Sequence, residues 1–254
     1  MSDDDNKQRG KTADALVRLV GMRLEKVEEE LSDILKEKNP FVVIDEINGE
    51  ISIRIHAVET DDNGPKKILK PVVKEIKSRL GQLIYATDED GTLEGAVVSL
   101  LKENKFTIAA AESCTAGLFT GRLANVPGTS EILKCGFITY SEKSKRKYVG
   151  VKRRTLDKFT AVSEQTAMEM SKGVCAAAKS DCGVSITGIA GPDGGSDKQP
   201  VGLVYIGVTI QKKTIVKEFH FSGNRQEIRS RAVTEALALL RTALLKRFSE
   251  VTFS

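Results

Sequence analysis

The chain has no tryptophan, two histidines, four cysteines and six prolines, and aromatic residues make up only 5% of it. Each shortage excludes something. Cys114, Cys135, Cys175 and Cys182 form no Cys-x-x-Cys pair and have only His56 and His220 beside them, so no zinc ligand set exists and no metal is expected. They read as free thiols of a reducing compartment. With so few aromatics, and none interleaved with the basic residues, the chain offers no stacking platform, and nucleic acid is not the expected partner. No apolar run approaches the roughly 18 residues needed to span a bilayer, so no membrane partner is expected. The first residues, MSDDDNKQRGK, lack the apolar core of a signal peptide. The expectation is a soluble, cytoplasmic protein. Ordinary proline and glycine contents exclude collagen-like and low-complexity classes.

What is present points to a folded chain with an uneven charge. At 254 residues, 40% of them hydrophobic, it holds one large domain or two modest ones with a sizeable core. Residues 1–90 carry 15 basic and 20 acidic side chains, net −5, against 24 and 15 in residues 91–254, net +9. The C-terminal part is the one suited to an anionic ligand, although excess lysine on a solvated face explains the same number.

The organisation follows from periodicity. Residues 1–11 are polar and charged and are expected to be disordered. From Thr12 to Lys38 the apolar residues Leu16, Leu19, Val20, Val27, Leu31, Ile34 and Leu35 keep helical spacing, predicting a helix. FVVID and EISIRIHAV flank Asn48-Gly49, the dipeptide of a type I′ hairpin. In the second run Ile51, Ile53, Ile55 and Ala57 alternate with polar residues, predicting one buried face. A further helix from Pro65 to Leu80 stops at Gly81. The run ends in LIYA, making a small α+β domain over 12–87, and the polar segment 88–92 reads as a linker. Over 93–254 strands and helices alternate, beginning with a helix from Leu93 to Glu103. KFTIAAA predicts a strand and SCTAGLFTGRLANV a helix directly after it. Further strands are read at CGFITYS, CGVSITGIA, VGLVYIGVTI and TIVKEFHFS, and helices at 163–179 and from Gln226 to Phe248. Apolar strands between helices predict an α/β, three-layer sheet covered by helices on both faces.

Four segments carry candidate chemistry. At the junction of KFTIAAA with AESCTAGL, Ser113 and Thr115 fall where a helix start leaves backbone N–H groups unpaired, so the backbone of Cys114, Thr115, Ala116 and Gly117 is a candidate oxyanion or anion cradle. Ser and Thr are also common N-caps and need do nothing more there. No histidine lies nearby in sequence, so a Ser–His–Asp triad has little support. GFITYSEKSKRKYVGV instead offers Lys143, Lys145, Arg146 and Lys147, whose crowding favours a lowered lysine pKa and a lysine base; these residues alone do not choose among them. TGIAGPDGGSDKQPVG, rich in Gly, follows a buried strand, where a ligand sits in open α/β sheets. It is neither a Walker A loop nor a dinucleotide fingerprint. Arg225, Arg229 and Arg231 gather at a helix start, against the helix dipole, which favours an anionic ligand there.

AESCTAGL, VPGTS, GFITYSEKSK, AVSEQTAMEM, TGIAGPDGG, PVGLVYIGV and FSGNRQEIRSRAVTEAL closely resemble, in this order, the C-terminal domain of the CinA family, over about residues 93–247. The small α+β domain resembles the KH-like connector of full-length CinA proteins, although it is net acidic and has no GXXG loop. The large molybdopterin-binding-like domain that usually precedes that connector, with its ADP-ribose pyrophosphatase activity, has no counterpart in the sequence. Ala116 stands where the family usually has a second glycine.

The resemblance implies a nicotinamide-mononucleotide amidase of Ser/Lys type with no cofactor. Ser113 matches the nucleophile, Lys145 the general base and Tyr140 the tyrosine of the TYSxxxK pattern. Thr187, Gly188, Gly191, Gly194 and Gly195 would line the substrate loop, and Arg225 or Arg229 would contact the nucleotide's phosphate. The partner this implies is a small-molecule nucleotide substrate; a homo-oligomer is expected separately, as the commonest state of soluble enzymes. Cys114 is the rival nucleophile. The rival functions are an amidase for a different amide, a non-catalytic pyridine-nucleotide-binding protein, and a nucleic-acid-binding protein.

Overall fold

A computed structural model describes residues 11–252 and divides the chain into two units, 1–92 and 93–254. The expected disordered tail falls, for 1–10, outside the described residues. Lys11 itself is ordered, its backbone exchanging bonds with Glu59.

The first unit runs β1 (Thr12–Val20), α1 (Leu24–Glu30), a 3-10 turn (Ile34–Lys36), β2 (Phe41–Ile47), β3 (Glu50–Val58), α2 (Pro65–Leu80) and β4 (Ile84–Ala86). Its four strands form one antiparallel sheet in the order β2-β3-β1-β4. Asn48 and Gly49 both take positive φ, 53° and 86°, between the paired Ile47 and Glu50, as a type I′ turn requires. Ile51, Ile53, Ile55 and Ala57 share the buried face of β3, with Leu69, Ile76 and Leu80 of α2 in the same core. The segment after β4 folds back on this sheet: Arg18 donates to the carbonyls of Gly91 and Glu89.

Of the single helix predicted over 12–38, the structure keeps α1 (Leu24–Glu30) and the 3-10 turn (Ile34–Lys36), and replaces the first part by a strand. Residues 12–20 form a strand in register with β3, from Thr12 opposite Val58 to Val20 opposite Glu50. Leu16, Leu19 and Val20 do keep helical spacing, yet Ala13, Ala15, Val17 and Leu19 alternate as well, and these four face the core. Pairing on both edges, with β3 and β4, fills the backbone hydrogen bonds and decides between the two periods.

The second unit runs α3 (Leu93–Glu103), β5 (Ile108–Glu112), α4 (Leu118–Ala124), β6 (Leu133–Ile138), α5 (Glu142–Val149), α6 (Arg153–Phe159), α7 (Glu164–Ala178), β7 (Cys182–Gly188), β8 (Leu203–Ile210), β9 (Lys213–His220) and α8 (Arg225–Thr252). The sheet order is β6-β5-β7-β8-β9, with β5 parallel to both neighbours and β8 and β9 antiparallel. α7 packs along β5, β7, β8 and β9 and carries α5 and α6, while α8 lies on β7 and β8 with α3 and α4 against it. The expected layered α/β architecture is present, with a mixed rather than a purely parallel sheet.

α7 sits unusually close to its neighbours because three glycines let it. A Cβ at Gly183 or Gly207 would meet the carbonyl oxygens of Ser171 or Ala167, and one at Gly173 would collide with that of Val149 at the end of α5. Two helices, α5 and α6, were not foreseen. α5 starts at a capping box in which Ser141 accepts from the Ser144 amide and Ser144 Oγ accepts from the Ser141 amide.

Candidate functional site

The site is built on the carboxyl ends of β5 and β6. β5 is buried along its whole length, and the chain leaves it at Ser113 without entering a helix. Residues 113–117 form a turn, with Ala116 at φ 51° and Gly117 at φ 96°, and α4 begins only at Leu118. The expected helix from Ser113 therefore starts five residues later, because two successive left-handed residues cannot continue a right-handed helix.

This turn brings Ser113 against α5. Lys145 Nζ lies 2.9 Å from Ser113 Oγ, 2.9 Å from the Thr139 carbonyl and 3.5 Å from the Tyr140 carbonyl. The capping box sets the phase of α5 so that Lys145 points inward while Lys143, Arg146 and Lys147 stay exposed. Lys145 is only 1% exposed. Burial pulls its pKa down to about 8, with the neighbouring Cys114 and Glu142 opposing the shift. A lysine in that state is partly neutral near neutrality, and in its neutral form the Nζ beside Ser113 Oγ can accept the hydroxyl proton. The arrangement can do nucleophilic chemistry without histidine.

The rival nucleophile is in the opposite condition. Burial pushes the Cys114 thiol up to about 11, and Lys145 and Arg229 only partly counter it, so the thiol keeps its proton.

The anion cradle is narrower than expected. Glu112, 1% exposed, takes the amides of Gly117 and Phe119 on one oxygen and the amide and hydroxyl of Thr120 on the other, at 2.9 to 3.1 Å. The open end of α4 is thus filled by the chain's own carboxylate. The Ala116 amide is spent on the Ser113 carbonyl. Of the four amides named from sequence, those of Ala116 and Gly117 are occupied, whereas those of Cys114 and Thr115 donate to no other described residue. The Thr115 hydroxyl is buried and also without a partner among the described residues.

The two arginines separate. Arg225 is exposed; its Nη1 donates to the Gly191 carbonyl at 2.6 Å and its Nη2 to Tyr140 Oη at 3.3 Å. Arg229 is half-buried and turns to the serine: Nε donates to the Cys114 carbonyl at 3.0 Å and Nη2 to that of Thr115 at 2.9 Å. Tyr140 accordingly meets Lys145 through its carbonyl and accepts from Arg225 on its hydroxyl oxygen, the residue being 59% exposed. The groups that hold Lys145 Nζ, besides Ser113, are the main-chain carbonyls of Thr139 and Tyr140.

The glycine-rich loop closes the other side. Gln199 anchors it to Thr160 and Val162, Gly191 is held by Arg225, and Gly191–Pro192 is cis. Gly194 and Gly195 are exposed, whereas Gly188 packs against Leu203 and Val204. Thr187 is buried, its hydroxyl given to the Ala161 carbonyl. Glu112 and the main-chain carbonyl of Thr139 are the site groups that sequence reasoning missed. The signal for Glu112 was present: a glutamate ending an otherwise alanine strand, one residue before the serine.

Among the described residues no helix is long and apolar enough to cross a membrane, and no three His, Cys, Asp or Glu side chains gather as a metal site.

Comparison with known proteins gives two family matches: the CinA C-terminal domain over residues 90–244, and the damage-inducible protein CinA KH domain over 16–86. A Clostridium tetani protein named for competence-damage induction is 46% identical over 231 residues, 91% of this chain and 56% of that one. The chain thus spans about half the length of the curated relatives it matches. Among solved structures, the competence/damage inducible protein CihA from Agrobacterium tumefaciens aligns with TM-score 0.58 and 37% identity, covering 60% of this chain and 93% of that one. A CinA superfamily protein from Klebsiella pneumoniae aligns with TM-score 0.59 and 31% identity, over 61% of this chain and 96% of that one.

Proposed function

This chain belongs to the CinA family, and from that premise we propose that its second unit is an amidohydrolase converting nicotinamide mononucleotide to nicotinic acid mononucleotide and ammonia. The observation that carries the reading is the buried contact of 2.9 Å between Lys145 Nζ and Ser113 Oγ. The names of the relatives speak of competence and damage and state no reaction.

In the proposed reaction, neutral Lys145 takes the Ser113 proton as Oγ attacks the carboxamide carbon. The carbonyl oxygen, now negative, is received by the amides of Cys114 and Thr115. Lys145 then gives the proton to the departing nitrogen, and ammonia leaves. Water enters, Lys145 takes its proton, the ester to Ser113 breaks, and the acid is released with the serine reprotonated. Arg225, on the exposed rim between Tyr140 and the Gly191 loop, is the group we assign to the substrate's phosphate. Gly194 and Gly195 leave that loop open to the ligand. Every step uses the chain's own groups, so the reading calls for no cofactor. It further describes a cytoplasmic homo-oligomer acting on a small-molecule nucleotide.

The test is ammonia release from nicotinamide mononucleotide, with EDTA present, by wild type, Ser113→Ala and Lys145→Ala. Turnover by wild type alone supports the reading. A folded wild type that releases no ammonia refutes the substrate, and turnover surviving in Ser113→Ala refutes the nucleophile.

A further inference from the structure

We infer that Arg229 is a positioning residue that prepares the oxyanion donors of the Ser113 turn by holding its carbonyls, and is not a contact for the substrate's phosphate. The inference rests on the reading of Ser113 as nucleophile and goes beyond it.

The turn is clamped from two sides by opposite charges. On one side Glu112 accepts the amides of Gly117, Phe119 and Thr120. On the other, Arg229 gives two donors of one planar guanidinium to two successive carbonyls, those of Cys114 and Thr115. An anion has consumed the amides that lead into α4, and a cation has consumed the carbonyls beside the serine. The amides of Cys114 and Thr115 are given to no other described residue, that of Cys114 facing only its own thiol. In each peptide group the carbonyl and the following N–H share one conjugated system. A guanidinium on the Cys114 oxygen therefore draws density from the Thr115 nitrogen and makes its N–H a stronger donor, in the way that chained hydrogen bonds strengthen one another.

The clamp also answers a backbone problem. Ala116 at φ 51° and Gly117 at φ 96° follow directly, and a turn containing a left-handed alanine needs outside contacts to keep one shape. Lysine could neutralise the same site but could not reproduce the planar fork across two carbonyls. The half-buried position of Arg229, against the exposed one of Arg225, fits a part in the framework of the site.

The experiment follows Ser113 itself, with a small uncharged fluorophosphonate that esterifies activated serines and carries no phosphate handle. Labelling of Ser113 is timed by mass spectrometry from pH 6.5 to 9.5 in wild type, Arg229→Met and Arg229→Lys, beside turnover of nicotinamide mononucleotide. Arg229→Met is expected to label about 100-fold more slowly, as for loss of an oxyanion donor, with the pH inflection of wild type kept. Its kcat falls by a similar factor while KM stays within about threefold, since the ground-state contacts are untouched. Arg229→Lys, which keeps the charge and the fold if methionine does not, is expected at about tenfold slower. Labelling at the wild-type rate in both variants overturns the inference, as does a loss confined to KM, which would mark a phosphate contact. A shifted inflection also overturns it, because Arg229 would then be acting on Lys145. Wild type that labels yet releases no ammonia sinks the substrate reading alone, and wild type that never labels sinks both.

Discussion

The pH dependence of turnover follows from one buried amine. Lys145 must be neutral to take the proton of Ser113, and burial brings its pKa to about 8 from an ordinary 10.5. The neutral fraction is then about 9% at pH 7, half at pH 8 and about 90% at pH 9. kcat/KM for nicotinamide mononucleotide should therefore rise about tenfold from pH 7 to pH 9 and flatten above pH 9. A lysine left at its ordinary pKa would give a different curve, climbing about 100-fold over the same interval with no plateau. The assay is ammonia release at subsaturating substrate in buffers of constant ionic strength from pH 6 to 10. An inflection more than a unit from pH 8, or a flat profile, refutes Lys145 as the base. So does a profile that keeps its shape in Lys145→Met.

Three further outcomes are expected. Cys114→Ala keeps most of its turnover because the thiol, pushed up to about 11, is protonated, whereas Ser113→Ala loses about 10³-fold or more; the reverse pattern would make the cysteine the nucleophile. Ala116→Gly releases the cost of a left-handed alanine and raises the unfolding free energy by about 1 kcal/mol with kcat near wild type, read by denaturant titration; destabilisation would mean that the alanine methyl packs usefully. Gly173→Ala drives a methyl into the Val149 carbonyl and so separates α7 from the helix that carries Lys145; it should cost about 1–3 kcal/mol and lower turnover, and an unchanged melting temperature and rate would contradict the close packing.

Much of the fold was legible because local signals and tertiary demands agreed. The hairpin at Asn48-Gly49, the strand Glu50–Val58 and the helix Pro65–Leu80 each carry period, turn and cap in the same few residues. Where two periods coexist in one segment, as at 12–20, the partner strands decide, and those lie 30 or more residues away. α5 escaped because its lysines and arginine hide the apolar period, leaving only Val149 and the aliphatic part of Lys145 to be buried. At the site, Ser113 and the glycine loop were legible as chemistry. The choice of Lys145 among its neighbours was made by family likeness, since the phase of α5 is what turns one cation inward. Glu112 and Arg229 act through main-chain amides and carbonyls, and no side-chain pattern announces such partners.

The burial that lowers the pKa of Lys145, on which its proposed role as base depends, also loads the fold, and this has a measurable sign. The folded pKa, about 8, lies below the unfolded value of 10.5, so between these pH values the unfolded chain holds more protons. Stability must then rise with pH across that window and be lost as pH falls through 8. The shift corresponds to about 3 kcal/mol at pH 7 and about 2 kcal/mol at pH 9. The hydrogen bonds from Lys145 to the Thr139 carbonyl and to Ser113 offset part of this in the native state. Lys145→Met removes the titration while keeping most of the volume. It is expected to be inert as an enzyme and more stable than wild type at pH 7, with the gap narrowing by about 1 kcal/mol by pH 9. Denaturant midpoints at the two pH values test this. A gap that stays constant or widens with pH would show that the lysine is not strained towards its neutral form, and the proposed base would lose its physical ground.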